Sequence, residues 1–253
     1  MLETIAAHRS VRNYTDRPIP GEVMQDILIA ATRASTTGTM QLYSIVVTTD
    51  PALKDQLSPC HFNQPMVRQA PAVVTFCADV NRFERWCRQR GADPAYDNFL
   101  WYLNAATDAL LASENFSLAA EAHGLGICYL GTTLYTAADI IRILGLPRGV
   151  VPVTTVVAGY PAEPLPPLTG RLPLEAVVHY DRYHDYTSED IDRLWSETEN
   201  SELTARLLRE NDLPNLARVF TDRRYTRKDN LAFSAAYLKV LREQGFFDSE
   251  DKE

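Results

Sequence analysis

Ala72-Val73-Val74-Thr75-Phe76-Cys77-Ala78 is apolar almost without interruption. A strand with one wet face alternates polar and apolar side chains. A continuous run instead predicts a strand buried on both faces. Val150 to Ala158 repeats the pattern and is closed by Gly159-Tyr160-Pro161. Ser44 to Thr49 reads as a further strand from its β-branched content, and Ile127-Cys128-Tyr129-Leu130 as a short buried one. A chain holding such strands must cover both of their faces.

Helical periodicity supplies the remaining material. A first helical turn or two spans residues 2–8, and Val23, Ile27, Ala30 and Ala31 recur at helical spacing within 21–33. Pro51 opens a short helix ending at Leu57, and a charged helix surrounds Phe83-Glu84-Arg85-Trp86. Residues 98–123 carry apolar side chains around most of the circumference, which predicts a helix covered by the core or by a partner subunit, ended by Gly124 and Gly126. Residues 136–144 form another helix. Residues 59–71 read as a polar loop, and the proline-rich stretch 161–173 as an extended connector. From Ser188 onward the pattern is helical and polar, with Ser188-Glu189-Asp190 as its start and 228–244 as the last helix.

The chain has 253 residues, is 45% hydrophobic and carries a net charge of −8. That permits a large core and argues against general nucleic-acid binding. No apolar run approaches the roughly 20 residues a bilayer requires, and the N-terminus lacks the basic-then-apolar order of a signal peptide. Cys60, Cys77, Cys87 and Cys128 form no C-x-x-C, and no histidine completes a zinc spacing. No metal is expected, and a reducing cytoplasm fits the cysteine usage. Neither a G-x-G-x-x-G after a strand nor a G-x-S-x-G elbow is present.

Four groups of residues could carry chemistry. His8, Arg9, Ser10 and Arg12 place guanidinium forks and a hydroxyl within five positions, a set suited to a phosphate. A solvated basic turn has the same composition. Ser35, Thr36, Thr37 and Gln41 could bond a polyol, or could serve ordinary turn geometry. Tyr129, Leu130, Gly131 and Thr132 follow a buried strand, where a glycine lets a flat ring approach the backbone or merely ends the strand. Arg218, Arg223, Arg224, Arg227 and Lys228 are five basic residues within eleven positions of an acidic chain. They could receive a second phosphate, or flank the last helix in salt bridges with Asp222 and Asp229.

Taken in register, these segments resemble the FMN-dependent nitroreductase family. The resemblance begins in His-Arg-Ser-Val-Arg-Asn-Tyr-Thr-Asp-Arg-Pro-Ile-Pro at 8–20 and continues through Ser35 to Gln41, Gln69-Ala70-Pro71, Phe76 to Arg82 and Gly124 to Gly131. It ends in Val156 to Pro161 and Arg171-Leu172-Pro173. It covers roughly residues 1–180 and is most similar to the larger, NADPH-preferring branch of oxygen-insensitive nitroreductases and flavin reductases.

The resemblance implies an α+β, three-layer sandwich with a mixed sheet flanked by helices. It implies an FMN-binding core at 1–180, a helical C-terminal extension at 181–253, and a homodimer with FMN at the subunit interface. It further implies that His8, Arg9, Ser10, Arg12, Ser35, Thr36, Thr37, Gln69, Tyr129, Leu130, Gly131, Thr132 and Arg171 bind FMN, and that Arg223, Arg224 and Arg227 meet the 2′-phosphate of NADPH. NADH is the other possible hydride donor. The implied activity is two-electron reduction of nitroaromatic, quinone or flavin acceptors, with no general base. Two positions depart from the pattern: Thr169 stands where a lysine is usual, and Thr132 where a second small residue is usual. The loss of that lysine keeps open an alternative, an FMN-binding sensor of the same fold. Flavin fragmentation or reductive dehalogenation is a third reading.

Overall fold

A computed structural model of the chain describes residues 1–247. Helix α1 (Leu2–Ala6) precedes an extended segment, and α2 (Gly21–Ala31) follows it. Strand β1 (Tyr43–Thr48), α3 (Pro51–Leu57), α4 (Pro65–Gln69), β2 (Ala72–Asp79) and α5 (Asn81–Gln89) come next. The long α6 (Phe99–Ala122) leads to β3 (Gly126–Leu130), α7 (Ala137–Leu144) and β4 (Val150–Gly159). The remaining helices are α8 (Ser188–Glu199), α9 (Glu202–Asn211), α10 (Leu216–Val219) and α11 (Arg227–Glu243). Contacts divide the chain into two compact units. One holds Met1–Pro167 and the segment beginning at Phe233; the other is Leu168–Ala232.

In the larger unit the sheet order is β1-β2-β4-β3. Residues of β2 are buried at every position, as are those of β4, so both long apolar runs lie inside the sheet and the shorter strands flank them. Alternation sends Val74, Phe76 and Ala78 to one face, where they join Ala105, Ala109, Ala112 and Phe116 of α6 and Ile27 and Ala31 of α2. The Phe76 and Phe116 rings meet edge to face, 5.6 Å between centroids. Val73, Cys128, Leu130 and Val157 serve the opposite face with Leu57, Val67 and Ile140. Val240, Leu241 and Phe246 complete the first face. The result is the three-layer α+β arrangement.

The sheet is not mixed. All three ladders, β1–β2, β2–β4 and β3–β4, are antiparallel. The parallel component is reduced to one bridge, Ser10 with Ile127, because the N-terminal segment touches β3 at a single residue before turning away.

Other boundaries shift for local reasons. The stretch expected as a polar loop, 59–71, contains a 3-10 turn at Ser58–His61 and α4, since Met66 and Val67 provide an apolar face to bury. Helix α8 starts at Ser188 as expected, with Thr187 as its cap. Thr187 and Asp190 bond each other's backbone amides in a capping box. The polar tail is several helices, and α10 runs into one π-helical turn at Phe220–Arg224. Gly126 does not end α6. It opens β3, while Gly124 makes the positive-φ turn between them at φ +77°.

Gly126 and Gly159 face each other in the β3–β4 ladder. A Cβ at Gly126 would lie 2.6 Å from Cβ of Val11, and one at Gly159 would overlap Pro71 and press on Tyr14. The two glycines therefore admit the N-terminal segment and the chain after α4 to the edge of the sheet. Gly126→Ala should lower the unfolding free energy by roughly 1–3 kcal/mol through overpacking. Val11→Ala should recover much of that loss in denaturant melts. Strictly additive costs of the two changes would contradict the close-approach account.

Candidate functional site

The extended N-terminal segment is held by its backbone to Ile127 of β3 and to the chain that follows β4. Val11 N–H donates to Ile127 O at 2.9 Å, Thr15 N–H to Tyr160 O at 2.9 Å, and Ala162 N–H to Asn13 O at 3.0 Å. Tyr14 is buried and locks the bend by donating to Val11 O at 2.6 Å. The buried side chains Val11 and Tyr14 are thus the anchors, and the residues between and before them present donors at the surface.

Each donor has a distinct setting. His8 Nδ1 lies 2.7 Å from Oε1 of Glu121, whose carboxyl is pushed up by burial, against the opposing hydrogen bond from His8. Arg9 donates to the carbonyls of Ala7 and Pro166 and keeps its remaining N–H groups. Ser10 and Arg12 neighbour Cys128, where burial raises the thiol and both residues oppose that shift. Among the described residues neither Arg9 nor Arg12 makes an ion pair. Two guanidiniums without an ion pair on one short segment can receive an anion.

Gln69 is the exposed last residue of α4. Its backbone is held from both sides. Lys54, itself buried, donates from Nζ to Arg68 O at 3.1 Å and Ala70 O at 2.8 Å. Burial lowers the Lys54 pKa, and the nearby Asp55 opposes that shift. Pro71, two residues on, sits against Gly159 and so joins the same seam as Tyr14.

The turn after β3 is open. A Cβ at Gly131 would meet nothing within 4 Å, and Gly131 is exposed. Among the described residues, the amides of Gly131 and Thr132 donate to no protein group. Two adjacent N–H groups without a protein acceptor, at a turn that is open at Gly131, suit a ligand carrying carbonyl or ring-nitrogen acceptors. Tyr129 turns its hydroxyl away, to Ser113 (3.1 Å), Ser117 (3.2 Å) and Glu114 (3.2 Å) on α6. Thr132 bonds His61 Nδ1 at 2.9 Å rather than facing the open side. Leu130 is core.

In the loop carrying Ser35, Thr36 and Thr37, the two threonines are bonded to α6. Thr36 Oγ1 donates to Asp108 Oδ2 at 2.5 Å, Thr37 donates to Oδ1 from both N–H and hydroxyl, and Leu42 N–H reaches Oδ2 at 3.1 Å. Asp108, 1% exposed on α6, organises the whole loop. Arg171 lies in the smaller unit and donates to Thr169 O and Gly170 O. Arg223 and Arg224 sit on the π-turn and Arg227 opens α11. Arg218 pairs with Asp222 at 3.0 Å, while Arg223, Arg224 and Arg227 make no ion pair among the described residues. Sequence reasoning missed Asp108, His61 and Lys54. Asp108 alone left a signal, as a charge inside the apolar stretch Ala105 to Ala112.

Comparison with known proteins agrees with this geometry. Residues 5–160 match the nitroreductase family, more than half of the chain. An FMN reductase (NADPH) of Bacillus subtilis is 35% identical over 193 residues, covering 74% of this chain and 76% of the relative. An oxygen-insensitive NADPH nitroreductase of Salmonella typhimurium is 34% identical over 182 residues, covering 72% and 74%. A crystal structure from Bacteroides fragilis superposes with a TM-score of 0.95 at 50% identity, covering 96% of this chain and 99% of that one. With the helix-flanked sheet, the N-terminal seam and these relatives in agreement, the chain belongs to the nitroreductase family.

Proposed function

We propose that this protein is an FMN-dependent NADPH oxidoreductase that moves a hydride from NADPH to a small-molecule acceptor, of the nitroaromatic, quinone or flavin class. The observation that carries this reading is the seam itself. Two arginines that make no ion pair among the described residues stand on the 8–12 segment, which meets at Ile127 the strand leading into a turn whose two amides donate to no described protein group. A phosphate ester and a flat heterocycle rich in acceptors have that pair of requirements. The names of the relatives, an FMN reductase (NADPH) and an NADPH nitroreductase, support the same choice.

The residues fit FMN. Arg9 is assigned to the phosphate and Arg12 to the electron-rich pyrimidine edge, with His8, Ser10 and Gln69 completing that wall. The amides of Gly131 and Thr132 and the backbone of Tyr129 and Leu130 border the ring. Arg171 is assigned to the phosphate side. Bound FMN would supply the two-electron redox chemistry, and the protein supplies position and charge. Arg12 would place a positive charge at the pyrimidine edge, where negative charge on the ring would be stabilised. No side chain is asked to move a proton as a general base.

Ser35, Thr36 and Thr37 are assigned to a cofactor as well, in a homodimer whose partner brings the loop to the seam. The outer side of α6 supports a dimer: Leu100 is 63% exposed and Leu110 48%, with Leu103 and Leu111 beside them. Soluble monomers rarely leave such a stripe open. The same proposal divides the chain into an FMN-binding core at 1–180 and a helical extension at 181–253, of which residues 248–253 lie outside those described, and places the enzyme in the cytoplasm. Among the described residues no helix is long and apolar enough to cross a membrane. Arg223, Arg224 and Arg227 are assigned to the 2′-phosphate of NADPH because, among the described residues, none of them makes an ion pair.

Two measurements test this reading. Anaerobic mixing of the purified flavoprotein with NADPH should bleach the flavin's visible band, and a nitroaromatic or quinone should restore it. An unbleached band would leave a binder rather than an enzyme. Reversing the charges at Arg223 and Arg224 should raise KM for NADPH at least about tenfold, since each charge-assisted contact is worth roughly 1.5–3 kcal/mol. KM for NADH should change far less. Equal changes for both donors would contradict the assignment.

A further inference from the structure

We propose that His61, acting through Thr132, is a positioning residue that sets the direction of the Gly131 and Thr132 amides toward the flavin. This rests on the reading above, in which that turn borders FMN. The inference starts from two loops that are clamped together. The loop after α3 carries His61 at the end of its 3-10 turn, and the turn after β3 carries Thr132. His61 Nδ1 and Thr132 Oγ1 are 2.9 Å apart, and Thr136 Oγ1 donates to Cys60 O at 2.8 Å. Phe62 stacks on Tyr135 with centroids 6.3 Å apart. Three contacts of different kinds thus tie 60–62 to 132–136.

The clamp is not a surface accident. His61 is 0% exposed and Thr132 8%. Burying an imidazole costs free energy for each ring nitrogen left without a partner. Here one nitrogen serves Thr132 and the other, Nε2, has no partner among the described residues. The next two residues, Phe62 and Asn63, both hold left-handed backbone at φ +55°. That conformation is uncommon for a non-glycine residue and an outlier for a bulky one, and such strain gathers where a functional geometry must be held. Burial also keeps the ring neutral, pushing its pKa down to about 4, so the contact with Thr132 persists across the physiological range.

The consequence concerns the amides. Thr132 has a side chain, and without an inward partner its hydroxyl is free to bond a neighbouring amide or to enter the open space at Gly131. The imidazole holds that hydroxyl in the interior. The Gly131 and Thr132 N–H groups, which have no protein acceptor, are then left for the ligand. With the Thr132 side chain held inward and the turn closed by Thr133 N–H to Leu130 O and Tyr135 N–H to Thr132 O, rotation of these peptides is restricted before the cofactor arrives.

The test compares Thr132→Val, which keeps the shape and removes the hydroxyl, with Thr132→Ser, which restores it, and with His61→Ala. FMN binding is followed by quenching of flavin fluorescence, and the bound flavin by its absorption spectrum and midpoint potential. Thr132→Val and His61→Ala should each weaken FMN binding about three- to tenfold and shift the visible flavin spectrum. The double variant should be little worse than either alone, and Thr132→Ser should behave as the wild type. If His61→Ala does not fold, the Val and Ser comparison decides alone. Wild-type affinity, spectrum and potential in Thr132→Val would overturn the proposal. A lowered melting temperature with an unchanged flavin spectrum and potential would also overturn it, as a merely structural role. A wild-type protein that binds no FMN would instead overturn the functional reading on which it rests.

Discussion

The structure depends on a close approach. The segment after α1 can reach the edge of the sheet only because Gly126 and Gly159, facing each other across the β3–β4 ladder, have no Cβ atoms to fend it off. Val11, Tyr14 and Pro71 fill the space so made. Backbone hydrogen bonds to Ile127 and Tyr160 then fix the register. Shift the segment by one residue and Val11 would face solvent while Arg12 would be driven toward the core. Every donor at the candidate site inherits its direction from that fit.

The buried polar groups show a second layer of the same logic. Asp108, His61 and Lys54 each lie in the interior, and each holds a loop rather than another side chain of the core. Asp108 gathers the amides and hydroxyls of 36–42, His61 holds the turn at 132, and Lys54 grips the carbonyls on either side of Gln69. A buried polar group costs free energy unless it is bonded, and removing its partner leaves that cost exposed, roughly 1–3 kcal/mol for each orphan. Loops held in this way are rigid enough to carry a binding surface. The layers of helices and sheet supply the frame, and these three residues set the loops on it.

Much of this was legible in the sequence, and the reasons differ by element. The two continuous apolar runs predicted β2 and β4, because burial on both faces admits few polar positions. The helices followed from their period. The antiparallel sense of the sheet was not legible, since strand direction depends on how the connections cross and not on any strand's own residues. The N-terminal donors were visible as composition, but only their register against β3 separates an anion grip from a solvated turn. Thr36 and Thr37 read equally as ligand donors or turn residues because Asp108, the group that binds them, lies about seventy positions away. His61 and Lys54 left no local mark at all: one looked like a loop residue and the other like a helix-surface charge.

The central claim is that the N-terminal seam grips the phosphate of FMN. The most direct measurement is the dissociation constant for FMN of Arg9→Ala beside that of the wild type. Arg9 is at the surface of the seam and outside the core, so the melting temperature of the flavin-free protein should hardly move. Loss of one charge-assisted contact, roughly 1.5–3 kcal/mol, predicts an FMN affinity some ten- to a hundredfold weaker. A variant that binds FMN as tightly as the wild type would contradict the account.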